Sequence, residues 1–260
     1  MLKVSIKKIF NFLGFSIIRI KNYPLQNAIN VLSVVNDNGI ESAFIRLKRK
    51  IISANTIIDL GAASGTWTQK AMKFWPDSIF LMVEPLAERS EILIEMTRKF
   101  PNCFYVPHAV GDSNEKVKFI VSPDLDGSGV YGSNSEGEER LVYMRKLDEV
   151  VDSSNVKGPY IIKFDTHGFE IPILNGSVKT LASTEAIIME CYGFTLSDTC
   201  IRFPEMCIHL EKLGFRLFDL TEIMRRPRDK AFWQCDAVFL KSDNPVFSEN
   251  TFHEKRVAKD

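Results

Sequence analysis

The chain has 260 residues, 33 basic side chains against 33 acidic ones, and 45% apolar content. That length suits one α/β domain with appendages or two small domains, and zero net charge removes any global attraction to nucleic acid or acidic lipid. The 5 cysteines are scattered with no Cys-x-x-Cys pair, which fits a reducing compartment better than a secreted disulfide scaffold.

Leu2, Ile6, Ile9, Phe10 and Leu13 recur at helical spacing and predict a short amphipathic helix ending at Gly14. The segment up to residue 55 is expected to be a helical N-terminal cap. Its basic residues, among them Lys3, Lys7, Lys8, Arg19 and Lys21, face only Asp37 and Glu41 before Asn55. A solvated helical face is the first reading, and peripheral contact with an anionic partner or membrane surface is the second. No apolar run approaches the roughly 18 residues of a membrane span, and Met1 to Lys21 lacks the clean apolar core and cleavage site of a signal peptide.

From Thr56 the pattern changes. "TIIDL", "IFLMVE" and "CFYVP" are predicted strands, separated by helices at Thr66 to about Phe74 and at "LAERSEILIEMTRKF". Strand and helix alternating at this spacing predict a mostly parallel sheet with helices on both faces. "VKFIV" and "LVYMRKL" are expected to form an antiparallel edge pair around the long loop "SPDLDGSGVYGSNSEGEE", a candidate lid. "YIIKFD", a helix from about Glu170 to Leu181, "AIIMECY", a helix from Phe203 to Lys212, "FRLFDL" and "DAVFLKS" complete the domain, expected to span residues 56–245. Residues 246–260 read as a polar tail.

Two stretches carry the chemistry. In "IIDLGAASGTW" a strand ends in Asp59, and glycines then let the backbone turn before a helix begins. Glu84 ends the next strand, where an acid typically binds both hydroxyls of a ribose. Gly61-x-x-x-Gly65 is not a dinucleotide fingerprint, and no phosphate-gripping Gly-Lys-Ser/Thr is present. Asp59 would repel a pyrophosphate but suits an ammonium group, so a cofactor with a ribose and an amino-acid tail is expected: S-adenosyl-L-methionine. The second stretch is "KFDTHGFE", with Lys163, Asp165, His167 and Glu170 packed around Gly168. Charges at a buried strand end are costly unless paired or used.

Together, "IIDLGAASGTWT", "VEP", "AVGD", "MRKLDEVV", "YIIKFDTHGFEIPILNG" and "IIMEC" resemble the FkbM family of S-adenosylmethionine-dependent methyltransferases over about Thr56 to Glu190. The Lys-x-Asp-x-x-Gly-x-Glu-x-x-x-Leu-x-Gly pattern from Lys163 to Gly176 is the most diagnostic block. The resemblance implies a class I methyltransferase (Rossmann-like) fold, methylation of a hydroxyl on a carbohydrate or related acceptor, and a cytoplasmic setting in a polysaccharide or natural-product pathway. It implies that Asp59, Gly61 and Gly65, with Ala62, Ser64, Thr66 and Trp67 of the same loop, hold the methionine end. Glu84 would hold the ribose, Ala109, Val110 and Asp112 would flank the adenine, and Asp165 would lie near the transferring methyl. His167 departs from the acid or amide that family members commonly carry there.

For the proton of a sugar hydroxyl, His167 has a suitable reference pKa. Asp165 is the alternative base, or the group that orients His167, and Lys163 is expected to pair with Asp165 or Glu170. Glu170 is expected to cap its helix. A divalent cation held by Asp165, Glu190 and Asp112 is the competing chemistry. The basic "RRPRDK" loop is a candidate grip for a phosphate or carboxylate of the acceptor. A nucleotide-dependent oxidoreductase, a non-catalytic binding module and a nucleic-acid methyltransferase are the rival classes, and the last would need a broad basic, aromatic-lined face.

Overall fold

A computed structural model describes residues 38–51, 53–130 and 137–252. The predicted helix at Leu2–Leu13, the basic residues of the first 21 positions and the end of the polar tail lie outside them.

Helix α1 (Ile40–Lys48) opens the described chain. It is followed by β1 (Thr56–Leu60), α2 (Thr66–Met72), β2 (Ile79–Val83), α3 (Ala87–Lys99), β3 (Cys103–Val106) and β4 (Ala109–Gly111). Next come β5 (Glu115–Val121), β6 (Glu138–Lys146), α4 (Leu147–Ser153) and β7 (Tyr160–Phe164). Then follow α5 (Glu170–Asn175), α6 (Val178–Ala182), β8 (Thr184–Tyr192), α7 (Phe203–Lys212), β9 (Phe215–Arg225), β10 (Phe232–Lys241) and a short 3-10 turn (Pro245–Phe247).

Seven strands form the main sheet in the order β3-β2-β1-β7-β8-β10-β9. The first five are parallel, and β10 runs antiparallel between β8 and β9. This is the mostly parallel, Rossmann-like sheet expected from the sequence. Strand order reverses between β1 and β7, so the ligand crevice opens at the carboxyl ends of those strands.

Both faces are covered, which explains why β1 and β7 are buried along their whole length. Ile58, Leu81, Ile162 and Ile187 pack against α4, α5 and α7 on one face. On the other, Ile57, Phe80, Ile161 and Val238 pack against α1, α2 and α3. Helix α1 is therefore built into this core rather than set apart as a cap. Its Phe44 is surrounded edge-on by Trp67, Phe74 and Trp75 at 5.2, 5.4 and 5.3 Å.

Along that second face the side chains change character as the strands reach the crevice. Ile57 is followed two residues on by Asp59, Ile161 by Lys163 and then Asp165, Met82 by Glu84, and Ile188 by Glu190. Period-two alternation puts each pair on one side of the sheet, so one continuous apolar floor becomes one charged rim.

Three local expectations change. "VKFIV" and "LVYMRKL" do pair antiparallel, but with β4 they form a separate three-stranded sheet, β4-β6-β5, rather than an edge of the main one. "LDEVVDS" is a helix, α4, that the sequence reading passed over. The helix expected from Glu170 to Leu181 is two, broken at Gly176 and Ser177. The break brings Gly176 against β4, where an added Cβ would lie 1.8 Å from the Gly111 carbonyl oxygen. Backbone cannot yield cheaply there, so Gly176→Ala is expected to destabilise the fold by about 3 kcal/mol, read as a lower denaturation midpoint. A change under ~1 kcal/mol would remove this role.

Candidate active site

The turn after β1 takes its shape from residues with left-handed backbone: Gly61 (φ 75°), Ala63 (φ 46°) and Gly65 (φ 74°). At Gly61 a Cβ would strike the Asp165 carbonyl oxygen at 2.0 Å, so glycine lets this loop pack on the end of β7. At Gly65 it would meet the Met96 sulfur at 2.3 Å. Glu84 is buried beneath the same loop. Its Oε2 accepts from the Ala63 amide at 3.0 Å and its Oε1 from the Leu86 amide at 2.9 Å. Burial raises its pKa against these two bonds. Each oxygen keeps a second lone pair for a ligand hydroxyl.

A cavity of about 240 Å³ runs along this rim. Leu86, Phe119 and Val130, which pack together, give it an apolar end, and Val110, with His108 and Ala109, also lines it. Asp165, Thr166, His167 and Glu190 supply polar and charged lining. Gly61, Ala63 and Glu84 complete it.

Several sequence expectations are redistributed. Of the "GAASGTW" loop, Gly61 and Ala63 line the cavity, while Ala62 turns into the core and Gly65 faces α3. Ser64 and Thr66 bond each other at 2.9 Å outside the lining, and Trp67 packs on Phe44. Asp59 does not reach the cavity. It is 1% exposed, accepts from Thr68 Oγ1 at 2.6 Å and sits 3.8 Å from Lys163 Nζ, which makes it a support beneath the loop. Asp112 is exposed and outside the lining, because β4 belongs to the second sheet and carries it away from the rim. Ala109 and Val110 remain in the wall. The described part of the long loop closes the apolar end, through Leu125, Asp126 and Ser128 to Val130. Arg89 of α3 pairs with Asp126 and holds it there.

The four ionisable groups of "KFDTHGFE" divide into distinct roles. Lys163 is buried and bonds Asp165 Oδ2 at 2.6 Å. Burial opposes its charge, but Asp165 and Asp59 outweigh burial and keep it protonated. Burial likewise opposes the charge on Asp165, yet Lys163 and His167 hold its carboxyl below the usual range. Glu170 turns away from them and accepts from Thr166 Oγ1 at 3.1 Å and the Gly168 amide at 3.0 Å, the helix-start role. His167 has φ 54°, an unfavourable backbone for a non-glycine residue. Its Nδ1 lies 3.0 Å from the Tyr192 hydroxyl, 3.3 Å from Glu190 Oε2 and 3.8 Å from Asp165 Oδ1.

These acids change what His167 can do. Burial lowers its pKa, but the bond to Glu190 and the charges of Asp165 and Glu190 raise it to about 9. At neutral pH it is an imidazolium, not the free base expected from its reference value. Between about 6.5, the unperturbed value, and about 9 the folded chain keeps a proton that the unfolded chain has released. Its contribution to stability is therefore full below that window and is lost as pH rises through it. NMR of the wild type is expected to show one imidazole titrating above pH 8, and Glu190→Gln to move it down. All imidazoles titrating below pH 7 in the wild type would refute the protonated network.

The sequence reading missed three partners of this end. The Tyr192 hydroxyl donates to Glu190 Oε2, and Gln234 Nε2 donates to Oε1. Asp236 stands opposite Glu190 in the β8–β10 register, and burial pushes its carboxyl to about 7, against Lys163 and aided by Asp165 and Glu190. Tyr192 ends "AIIMECY" and Asp236 opens "DAVFLKS", stretches read only as strands, and Gln234 lies just before the second. Asp165, His167 and Glu190 bring ligand atoms within 4.8 Å of one another, which puts His167 where Asp112 was expected in a cation site.

A family model described as the methyltransferase FkbM domain matches residues 59–217. Hexuronic acid methyltransferase AglP of Haloferax volcanii is 25% identical over 111 residues, 42% of this chain and 46% of that protein. A crystal structure of methyltransferase FkbM from Methylobacillus flagellatus KT is 14% identical, with TM-score 0.48, over 72% of this chain and 43% of that one. The chain thus spans less than half the length of either. A Burkholderia thailandensis 1,6-didemethyltoxoflavin-N1-methyltransferase with S-adenosylhomocysteine bound is 12% identical, with TM-score 0.42, over 87% and 94% of the two chains.

Proposed function

The chain belongs to the FkbM methyltransferase family, and from that premise we propose that it transfers a methyl group from S-adenosyl-L-methionine to a hydroxyl of a carbohydrate or related polar acceptor. The observation that carries this reading is the single cavity joining Glu84 and the apolar walls to Asp165, His167 and Glu190. The residues fit the cofactor. Glu84 has lone pairs to spare for ribose hydroxyls, and Leu86, Val110 and Phe119 suit the faces of an adenine. When bound, S-adenosyl-L-methionine supplies a methyl group activated on a sulfonium.

The protein's part is to hold the acceptor and take its proton. A hydroxyl oxygen that is gaining a methyl group becomes strongly acidic, so a carboxylate of low pKa is base enough. Asp165 Oδ1 is that base: it has no hydrogen-bond partner among the described residues and belongs to a residue of the cavity wall. Lys163 fixes the carboxylate through its other oxygen, and His167 balances the charge of Asp165 and Glu190. The sugar hydroxyl is chosen because the Haloferax relative is named for a hexuronic acid.

Calorimetry with S-adenosyl-L-methionine, with NADH as control, tests the cofactor. Binding of the first alone, then addition of one methyl to a glycan hydroxyl, supports the reading; binding of neither removes it. A second reading, metal assistance at Asp165, His167 and Glu190, has their proximity in its favour. The ion pair and hydrogen bonds already on the two carboxylates count against it. Turnover lost in EDTA and restored by Mg²⁺ would select it.

A further inference from the structure

The β8–β10 register runs Asp236 opposite Glu190 and Gln234 opposite Tyr192, where β8 ends. Strand β10 extends further, with Phe232 paired to Arg225 of β9. The β9–β10 hairpin therefore projects past the carboxyl ends of the parallel strands, on the crevice side of the molecule. At about 3.3 Å per residue, the Phe232–Arg225 pair stands roughly 13 Å beyond the level of Glu190, a distance of the order of two sugar rings.

Two features of this projection have no role in the fold's core. Phe194, in the loop after β8, and Trp233 on β10 are half-exposed rings 5.5 Å apart. The Gly193 amide fixes their backbones together by donating to the Trp233 carbonyl at 2.8 Å. Beyond them the hairpin carries Arg225, Arg226, Arg228 and Lys230 against Asp229. Arg226 is structural: it pairs with Asp229 at 2.7 Å and lies 4.0 Å over the Phe194 ring. Arg228 is 3.5 Å from the same Asp229 but 74% exposed. Arg225 and Lys230 are exposed, with no carboxylate at ion-pair distance among the described residues. One carboxylate thus leaves most of the positive charge unspent.

We propose that this hairpin and its ring pair form an acceptor subsite for an acidic glycan, holding a carboxylate or phosphate one to two sugar residues from the hydroxyl that is methylated. The inference rests on the carbohydrate reading above. With Arg226 over the Phe194 ring, Trp233 is the ring of the pair that can take the apolar face of a sugar, and arginine forks bind carboxylate and phosphate. An acceptor longer than a monosaccharide follows from the distance, and an acidic one from the charge.

The test is calorimetry on the full chain with S-adenosylhomocysteine present. The probes are a hyaluronan tetrasaccharide, a neutral tetra-N-acetylchitotetraose and maltose 1-phosphate, each against wild type and the combined Arg225→Gln, Arg228→Gln, Lys230→Gln variant. These side chains are exposed, so the variant is expected to fold and keep its affinity for S-adenosylhomocysteine. Wild type is expected to prefer one acidic probe over tetra-N-acetylchitotetraose, with affinity falling as salt rises. Preference for the tetrasaccharide assigns the group as a carboxylate, and for the sugar phosphate as a phosphate. In the variant that acidic probe should weaken by about tenfold or more, with loss of the salt dependence. Equal acidic-probe affinity in variant and wild type overturns the proposal, as does an absence of acidic preference in wild type. Binding to anionic lipid vesicles in place of either probe also overturns it. Failure of S-adenosylhomocysteine itself to bind would instead strike the methyltransferase reading.

Discussion

Lys163→Met is expected to destabilise the protein by about 3–5 kcal/mol, the cost of removing one member of a buried charge cluster. The lysine side chain is 6% exposed, between Asp59 at 1% and Asp165 at 31%. Methionine fills much of the same volume, so the loss is electrostatic rather than a cavity. Without the ammonium, Asp59, Asp165 and Asp236 each lose an interaction that lowers their pKa. The folded variant then binds more protons than the folded wild type, so its deficit grows as pH rises. Urea titrations at pH 5 and pH 8 measure both effects. Adding Asp59→Asn removes the most deeply buried acid and should recover part of the loss, as expected for contacting residues. A deficit below ~1 kcal/mol, or one that does not depend on pH, would mean that Lys163 is not the centre of the site.

Glu84→Ala is expected to weaken S-adenosyl-L-methionine binding on the order of a hundredfold, about 3 kcal/mol for two hydrogen bonds to a charged group. The same substitution leaves the Ala63 and Leu86 amides without their acceptor, so a fall in melting temperature should accompany it. Glu84→Gln separates the two roles only in part. Both oxygens of the native side chain accept, and an amide would turn an NH₂ toward one of two N–H donors. Calorimetry on variants shown to be folded by circular dichroism decides the matter. Wild-type affinity in the alanine variant would end the ribose assignment.

Much of this molecule was legible in the one-dimensional pattern. Strands β1, β2, β3, β7 and β8 are short apolar runs bounded by turn residues, and α3 and α7 carry helical periodicity, so local chemistry alone predicts them. The Gly61 turn, Glu84 at a strand end and the Lys163–Gly176 block are equally local. Each depends on a few consecutive residues whose backbone or charge requirements do not change with distant context.

What only the tertiary structure decided is which of those residues meet. Asp59 and Glu84 both end predicted strands, yet Thr68 and Lys163 hold Asp59 below the loop while Glu84 stays in the cavity wall. "VKFIV" and "LVYMRKL" pair as expected, but their joining with β4 takes Asp112 away from the rim. His167 owes its retained proton to Glu190, 23 positions on, and to Asp165, while the long-range β8–β10 pairing sets Gln234 and Asp236 beside Glu190. A pKa is the sum of charges, bonds and burial at one point in space. The sequence names the titrating groups, and only the packed sheet sets the distances between them.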